Sequence, residues 1–326
     1  MRLPAFAYLT PSTLEEAVVM LRDSPGAAVI GAGTDLLPNM KRRQVQPTTL
    51  VSLGAIPDLA GIRGDAAGGV VIGALTTLRD VAASPDVPRA LRAAAGSVAS
   101  PQIRNTATVG GNLCVDTRCS YINATEEWRI AAGPCLKAGG DVCWVAPKGD
   151  QCWAVSSTDL APAAIVIGAS VRLVGPDGER TMPVADLYRP DGIDHMVKGR
   201  DEILTEVSIP PSARLRSTYL KLRRRRAVDF PMLGVAAAVR CSDDGTVQEA
   251  RLVLGAIAPA PLRAAAAEEF LMGRRLTPEV VDAASQIAAG PVRPFDNADL
   301  GSRYRKWMAA VFVARALREL SLPGRG

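Results

Sequence analysis

Histidine is nearly absent from this 326-residue chain, which has one, His195. That excludes His-rich metal centres and leaves Ser-His-Asp or Cys-His catalysis with one imidazole to do all the work. Aromatic residues make up 4%, too few for a nucleic-acid surface built on base stacking. Lysine is also scarce, so most of the cations behind the net charge of +5 are arginines. So small an excess admits an anionic ligand without requiring nucleic acid. No apolar run approaches the roughly 18 residues of a spanning helix. The N-terminus MRLPAFAYLTPSTLEEA lacks the apolar core of a signal peptide. A cytoplasmic protein is therefore expected, with neither membrane nor nucleic acid as partner. No G-x-x-x-x-G-K-[ST] is present, which argues against a P-loop nucleotidase.

The rest is ordinary globular material, 48% hydrophobic and 22% charged. The length suits two or three domains. A strand, a helix over 13–22 opened by Ser12 and Glu15 as a capping box, and strands at Ala27–Ile30 and VQPTTLVSL predict a small α/β unit over 1–53. A second part, 54–210, holds a strand at 69–74, two helices, a Gly/Asn-rich loop PQIRNTATVGGNL, a strand read through AAIVIGASVRLVG, and a strand Glu206–Ile209. In a third part, 212–322, MLGVAAAVRC and ARLVLGAIAP read as paired strands. Helices follow at 263–272, 278–289 and 302–320, the last with Trp307, Val311, Ala314, Leu317 and Leu320 on its buried face. The predicted class is α+β.

Two glycine loops stand out. Gly31-Ala32-Gly33-Thr34-Asp35-Leu36 begins like G-x-G-x-x-G but has Leu36 at the third glycine position, and Pro38 and Asn39 argue against a helix directly after it. It is not a dinucleotide fingerprint, yet its glycines let the backbone turn N–H groups toward an anion. Thr108-Val109-Gly110-Gly111-Asn112 is a second such loop, and two of them are better evidence for a diphosphate held between them than either alone.

Five of the six cysteines, Cys114, Cys119, Cys135, Cys143 and Cys152, fall in one loop-like segment with Trp128, Trp144 and Trp153. Disulfides need an oxidising compartment. Zinc sites favour C-x(2–4)-C pairs; here only Cys114 and Cys119 come close, as C-x4-C, and the later gaps of seven and eight residues fit zinc poorly. An iron–sulfur cluster accepts widely spaced thiolates, and tryptophans can shield it. Cluster, zinc and unliganded core thiols all stay open on spacing, as does which four of the five would bind. In the basic run Lys221–Arg226, the arginines read as a solvated loop, while Lys221 follows apolar Tyr219-Leu220 and can point inward. His195 reads as a surface residue.

AGTDLLPNMK, IGALTTLRD, PQIRNTATVGGNL and SSTDLAPAAIVIGASVRL occur in this order, followed by EILTEVSIP, YLKLRRRRAVDFPMLGVAAAV, RLVLGAIAPAPLRAAAAEEFLMG and YRKWMAAVFVARAL. Together they resemble the FAD-binding medium subunits of molybdenum hydroxylases, such as xanthine and carbon monoxide dehydrogenases, over nearly the whole chain. The cysteine-bearing insertion at 114–153 resembles that of the β subunits of 4-hydroxybenzoyl-CoA reductases. The resemblance implies a two-part FAD-binding region, the small α/β unit plus a larger α+β unit, and a C-terminal antiparallel sheet with helices. It implies that Ile30, Gly31, Ala32, Gly33, Thr34, Asp35 and Leu36 wrap the FAD diphosphate, with Ala99, Thr108, Gly111 and Asn112 as the second wall. Asp159 would bond the cofactor's polar edge, Leu204 would pack on its rings and Lys221 would lie near the isoalloxazine. Cys119, Cys135, Cys143 and Cys152 would hold a 4Fe–4S cluster, and Cys114 would stay out of it. It further implies an oxidoreductase subunit active only in complex with a large molybdenum-cofactor subunit and a small 2Fe–2S subunit, in a dimer of heterotrimers. A ferredoxin-like donor would supply electrons. Relatives often read G-G-T-D-L where this chain has Gly31-Ala32-Gly33. Two other readings are a medium subunit serving another substrate and a zinc-stapled, non-catalytic scaffold.

Overall fold

The computed structural model describes residues 2–211, 214–225 and 227–322; Ser212 and Arg226 lie outside them. The chain is α+β, as the pattern predicts. Three short strands, Ala7–Leu9, Ala27–Ile30 and Thr49–Ser52, form a parallel sheet with the third strand in the middle. Helix Leu14–Asp23 packs Ala17, Val18 and Leu21 onto it. Its cap is displaced by one residue from the predicted box. The Thr13 hydroxyl accepts the Glu16 N–H at 3.2 Å, and Glu16 reaches back to the Ser12 N–H at 2.7 Å. Helix Leu36–Lys41 does follow the first glycine loop directly. Pro38 falls in its first turn, where a missing N–H removes no helix bond.

A five-stranded antiparallel sheet forms the next layer, in the order Ile62–Gly64, Val70–Gly73, Ile203–Ile209, Ser170–Gly175, Gly178–Pro183. The predicted strand through 163–175 divides: Leu160–Val166 is a helix and only Ser170–Gly175 is extended. An apolar run covered on all sides has no period to separate helix from strand. The helix start is fixed from outside, by the Thr158 hydroxyl on the Ala161 N–H and the Asn112 side-chain oxygen on the Leu160 N–H.

The C-terminal part is an antiparallel meander, Arg216–Leu222, Leu233–Cys241, Val247–Gly255 and Leu262–Arg263. Strand Leu233–Cys241 is buried on both faces. Leu233, Val235, Ala237 and Val239 face helices Ala265–Leu271, Pro278–Ala289 and Ser302–Ser321, while Ala236 and Ala238 join the core under the five-stranded sheet. Small alanines let both layers approach closely. On the last helix Ala314, Leu317 and Leu320 of the predicted face are buried and Val311 is partly so, but Trp307 is 64% exposed, and Arg305, Met308 and Phe312 are buried instead in the first half. Among the described residues no helix is long and apolar enough to cross a membrane.

Candidate functional site

The first glycine loop leaves the carboxyl end of the parallel strand Ala27–Ile30, where ligands gather in open parallel sheets. It abuts the second loop: a Cβ on Gly31 would lie 3.3 Å from the Thr108 hydroxyl. The predicted Gly/Asn loop is partly helical. Val109–Leu113 is one turn, capped by the Thr108 hydroxyl on the Gly111 N–H at 3.2 Å, and Pro101–Arg104 is another. A cavity of about 480 Å³ opens between the loops, within the range of cofactor sites. Ile30, Gly31, Ala32, Gly33, Thr34, Asp35, Leu36, Ala99, Thr108, Gly111, Asn112, Asp159 and Leu204 all line it. Gly33 has φ +70°, and a Cβ there would lie 3.0 Å from both Ile30 and Leu37 side-chain carbons. Gly33→Val therefore strains the backbone by about 1–2 kcal/mol and fills the loop. It is expected to yield a folded chain without FAD; stoichiometric flavin absorbance in that variant would show the loop to be only a turn.

Lys221 lies behind this lining. Its Nζ donates to Asp159 Oδ2 at 2.9 Å and to the Ser97 carbonyl at 3.1 Å, with both ion-pair side chains 3% exposed. Tyr219, adjacent to the same carboxylate, donates to Asp159 Oδ1 at 2.7 Å, and burial raises its hydroxyl pKa well above normal. The sequence places Lys221 inward correctly and misses Tyr219. Lys221→Met leaves Asp159 as a buried charge without its cation, so unfolding free energy is expected to fall by about 3–5 kcal/mol. Urea denaturation of the flavin-free chain measures it; an unchanged midpoint would refute the pair's role.

Cys119, Cys135, Cys143 and Cys152 line a second, smaller cavity with Tyr121, Ile122, Leu136, Val145 and Ala154. Cys114 lines the first cavity instead. The neck of the cysteine segment is pinned by backbone bonds in both directions between Arg118 and Val155, at 2.8 and 2.7 Å. Gly192 closes one side: its N–H donates to the Cys152 carbonyl, and a Cβ on it would stand 2.7 Å from Cys152 Sγ. Burial pushes the Cys119 thiol up to about 11, and a bound cation would reverse that. Among the described residues no three His, Cys, Asp or Glu side chains gather about one metal-ion position; the four thiols share the lining of a small cavity. The segment is not all loop, since Glu126–Ala132 is helical and capped by Thr125. Of its tryptophans only Trp144 lines the thiol cavity. Trp128 is 47% exposed and lies 6.1 Å from the Tyr121 ring, while Trp153 packs on Phe295.

The segment 114–119 runs from one cavity to the other: Cys114, Val115, Asp116 and Arg118 line the larger one and Cys119 the smaller. Asp116 lines the larger one and accepts from Lys137, which lines the smaller one, at 2.6 Å. His195 is not a surface residue: its ring is 17% exposed, 3.8 Å from Asp116, and burial lowers its pKa. Of the arginine run, Arg224 and Arg225 are exposed and paired with Asp299 and Asp229, while Arg223 donates to the Ser97 carbonyl. Arg118, Val228, Asp229 and Phe230 also line the larger cavity, and sequence reasoning missed them. Ala99 (φ +41°) and Val228 (φ +57°) hold rare backbone conformations and are joined by a Val228 N–H to Ala99 carbonyl bond of 3.1 Å. Strain of this kind collects at ligand sites.

Residues 4–212 match the family described as the FAD binding domain in molybdopterin dehydrogenase, and residues 217–320 match the CO dehydrogenase flavoprotein C-terminal domain. The chain is 30% identical over 318 residues to the carbon monoxide dehydrogenase medium chain of Hydrogenophaga pseudoflava, covering 96% of each. It is 31% identical to the nicotinate dehydrogenase FAD-subunit of Eubacterium barkeri, over 92% of this chain and 91% of that one. A solved structure of the Hydrogenophaga pseudoflava carbon monoxide dehydrogenase superposes with a TM-score of 0.79 at 33% identity, covering 98% of both chains. The two abutting glycine loops and their cavity thus belong to an FAD-binding domain, and the chain is a member of the FAD-binding medium-subunit family of the molybdenum hydroxylases.

Proposed function

We propose that this chain is the electron-transfer subunit of a molybdenum enzyme of the 4-hydroxybenzoyl-CoA reductase type, holding FAD between its glycine loops and a 4Fe–4S cluster on Cys119, Cys135, Cys143 and Cys152. One observation carries the reading: these four thiols, and not Cys114, line one apolar-walled cavity, and the chain runs from the flavin cavity to it within residues 114–119. Four thiolate donors around a space suit a body with four metal corners better than a single zinc ion. When bound, FAD and the cluster supply two-electron and one-electron chemistry, and the chain's own residues set their spacing and solvent access. The glycine backbones approach the diphosphate, Leu204 and Ala99 wall the cavity, and Asp159 is held in place by Tyr219 and Lys221. Large molybdenum and small 2Fe–2S partner chains, a ferredoxin-like donor and reductive loss of the phenolic hydroxyl of 4-hydroxybenzoyl-CoA belong to this reading.

Anaerobic purification with whatever chains co-purify, followed by iron, sulfide, zinc and flavin analysis and EPR of the reduced sample, tests it. Iron and sulfide beyond the 2Fe–2S content, with FAD, is the expected result. Zinc in place of iron would support the scaffold reading. A complete complex that turns over another substrate and ignores the CoA thioester would move the chain to a different medium-subunit branch.

A further inference from the structure

We propose that Arg118 is a diphosphate-binding residue of the FAD site, contributed by the cysteine segment rather than by either glycine loop. This deepens the reading of the flavin cavity and stands whether or not the segment holds iron.

Arg118 precedes Cys119, and its backbone is fixed by the paired bonds to Val155. Its side chain turns away from the thiols: Arg118 lines the flavin cavity, not the thiol cavity, and is 8% exposed. Nη2 donates to Asp35, and the guanidinium lies 3.6 Å from the centre of the Phe230 ring. Among the described residues its other nitrogens make no hydrogen bond, and Nε is sealed from solvent. A guanidinium carries five N–H donors and stays protonated even where burial lowers its pKa. Asp35 uses one of them.

The charges around the cavity show why a cation is needed at this place. Asp35 is the one acid of the loop 30–36, and a bare carboxylate there repels a diphosphate. Asn39 occupies its other oxygen at 2.8 Å without altering its charge. The remaining carboxylates lining the cavity each have a cation of their own: Asp116 with Lys137, Asp159 with Lys221, Glu202 with Arg180 and Asp229 with Arg225. Arg118 offsets Asp35 and still has donors to spare, and Arg42 lines the cavity close enough to feel its charge. A planar donor fork held over an aromatic ring is suited to recognising phosphate oxygens.

The experiment titrates the full-length, flavin-stripped chain with FAD, ADP and riboflavin, following flavin fluorescence and calorimetry. For Arg118→Gln, FAD and ADP are expected to bind about 10- to 100-fold more weakly, the range for a charge-assisted hydrogen bond. Riboflavin, which has no diphosphate, is expected to change less than about twofold. Arg118→Lys, the variant to use if the glutamine protein does not fold, keeps one charge that cannot serve both Asp35 and a phosphate, so it too is expected to lose FAD and ADP selectively. The Asp35→Asn, Arg118→Gln double variant is expected to remain weak. Unchanged FAD affinity, an equal loss for riboflavin, or recovery in the double variant would overturn the proposal, the last by showing that Arg118 only neutralises Asp35. Iron and sulfide assays on the same samples test the cluster reading separately.

Discussion

A chain carrying both Cys135→Ser and Cys143→Ser is expected to purify with FAD and without the 4Fe–4S iron and acid-labile sulfide. Iron in such clusters is held by thiolates, and a serine hydroxyl stays protonated where a thiol ionises. Losing two adjacent donors removes half of the proposed ligand set, so partial occupancy is not the expected result. The flavin site survives because no residue is shared by the linings of the two cavities. The segment's own packing also survives: Arg118 remains bonded to Val155, Asn297 donates to the Trp153 carbonyl at 2.6 Å, and Arg129 donates to the carbonyls of Arg42 and Arg43 at 3.0 Å. Cys114→Ser and Cys241→Ser are the controls. Cys114 lines the flavin cavity, and Cys241 ends a C-terminal strand with its sulfur 3.5 Å from Arg216. Both variants are expected to keep full iron. Retention of all iron and sulfide by the double variant would remove these thiols as ligands.

The parts of this site that were legible in the sequence are those written in local chemistry. Gly33 must be glycine because the loop needs a positive φ there, and Lys221 is carried inward by the strand that holds Tyr219 and Leu220. Spacing leaves open which four of the five cysteines belong together; the family resemblance singles out Cys119, Cys135, Cys143 and Cys152, the four that line one cavity. What stayed hidden depends on contacts between distant segments. Leu160–Val166 is a helix because Asn112, far off in sequence, takes its first N–H. Arg305 is wholly buried because the carbonyls of Met232, Phe295 and Ala256 surround its guanidinium. No periodicity announces a buried arginine in an exposed-looking first turn, so the helical spacing places Trp307 on the buried face where Arg305 and Met308 stand instead. Phe230 and Val228 reach the flavin cavity from a stretch whose only local signal is its arginines. Arg118 did carry a signal, its place beside Cys119, but nothing in the spacing says that neighbouring residues face different cavities.

In the proposed reading the four-cysteine site is the point at which electrons enter. Trp144, 42% exposed, lines it on the outside, while Asp116 and Lys137 join it to the flavin cavity on the inside. A medium subunit whose flavin meets its redox partner directly has no need of such an outer station. Reductive removal of an aromatic hydroxyl needs strongly reducing electrons. Iron–sulfur potentials extend from roughly −700 to +450 mV, so a protein environment can hold one below a flavin. The complex assembled with a Cys119→Ser subunit is therefore expected to lose nearly all turnover of the CoA thioester driven by ferredoxin or a reduced viologen, while its FAD content is unchanged. Cys119 suits the test because it is buried at the neck of the segment, next to the pinned Arg118–Val155 pair, so the substitution disturbs little beyond the sulfur. Flavin absorbance and iron content are measured on the same preparation. If the iron is gone and donor-driven turnover is undiminished, the insertion is a structural staple and electrons reach the flavin by another face. A potential for the wild-type site well above that of the flavin would lead to the same conclusion, because an outer station uphill of its acceptor slows entry instead of serving it.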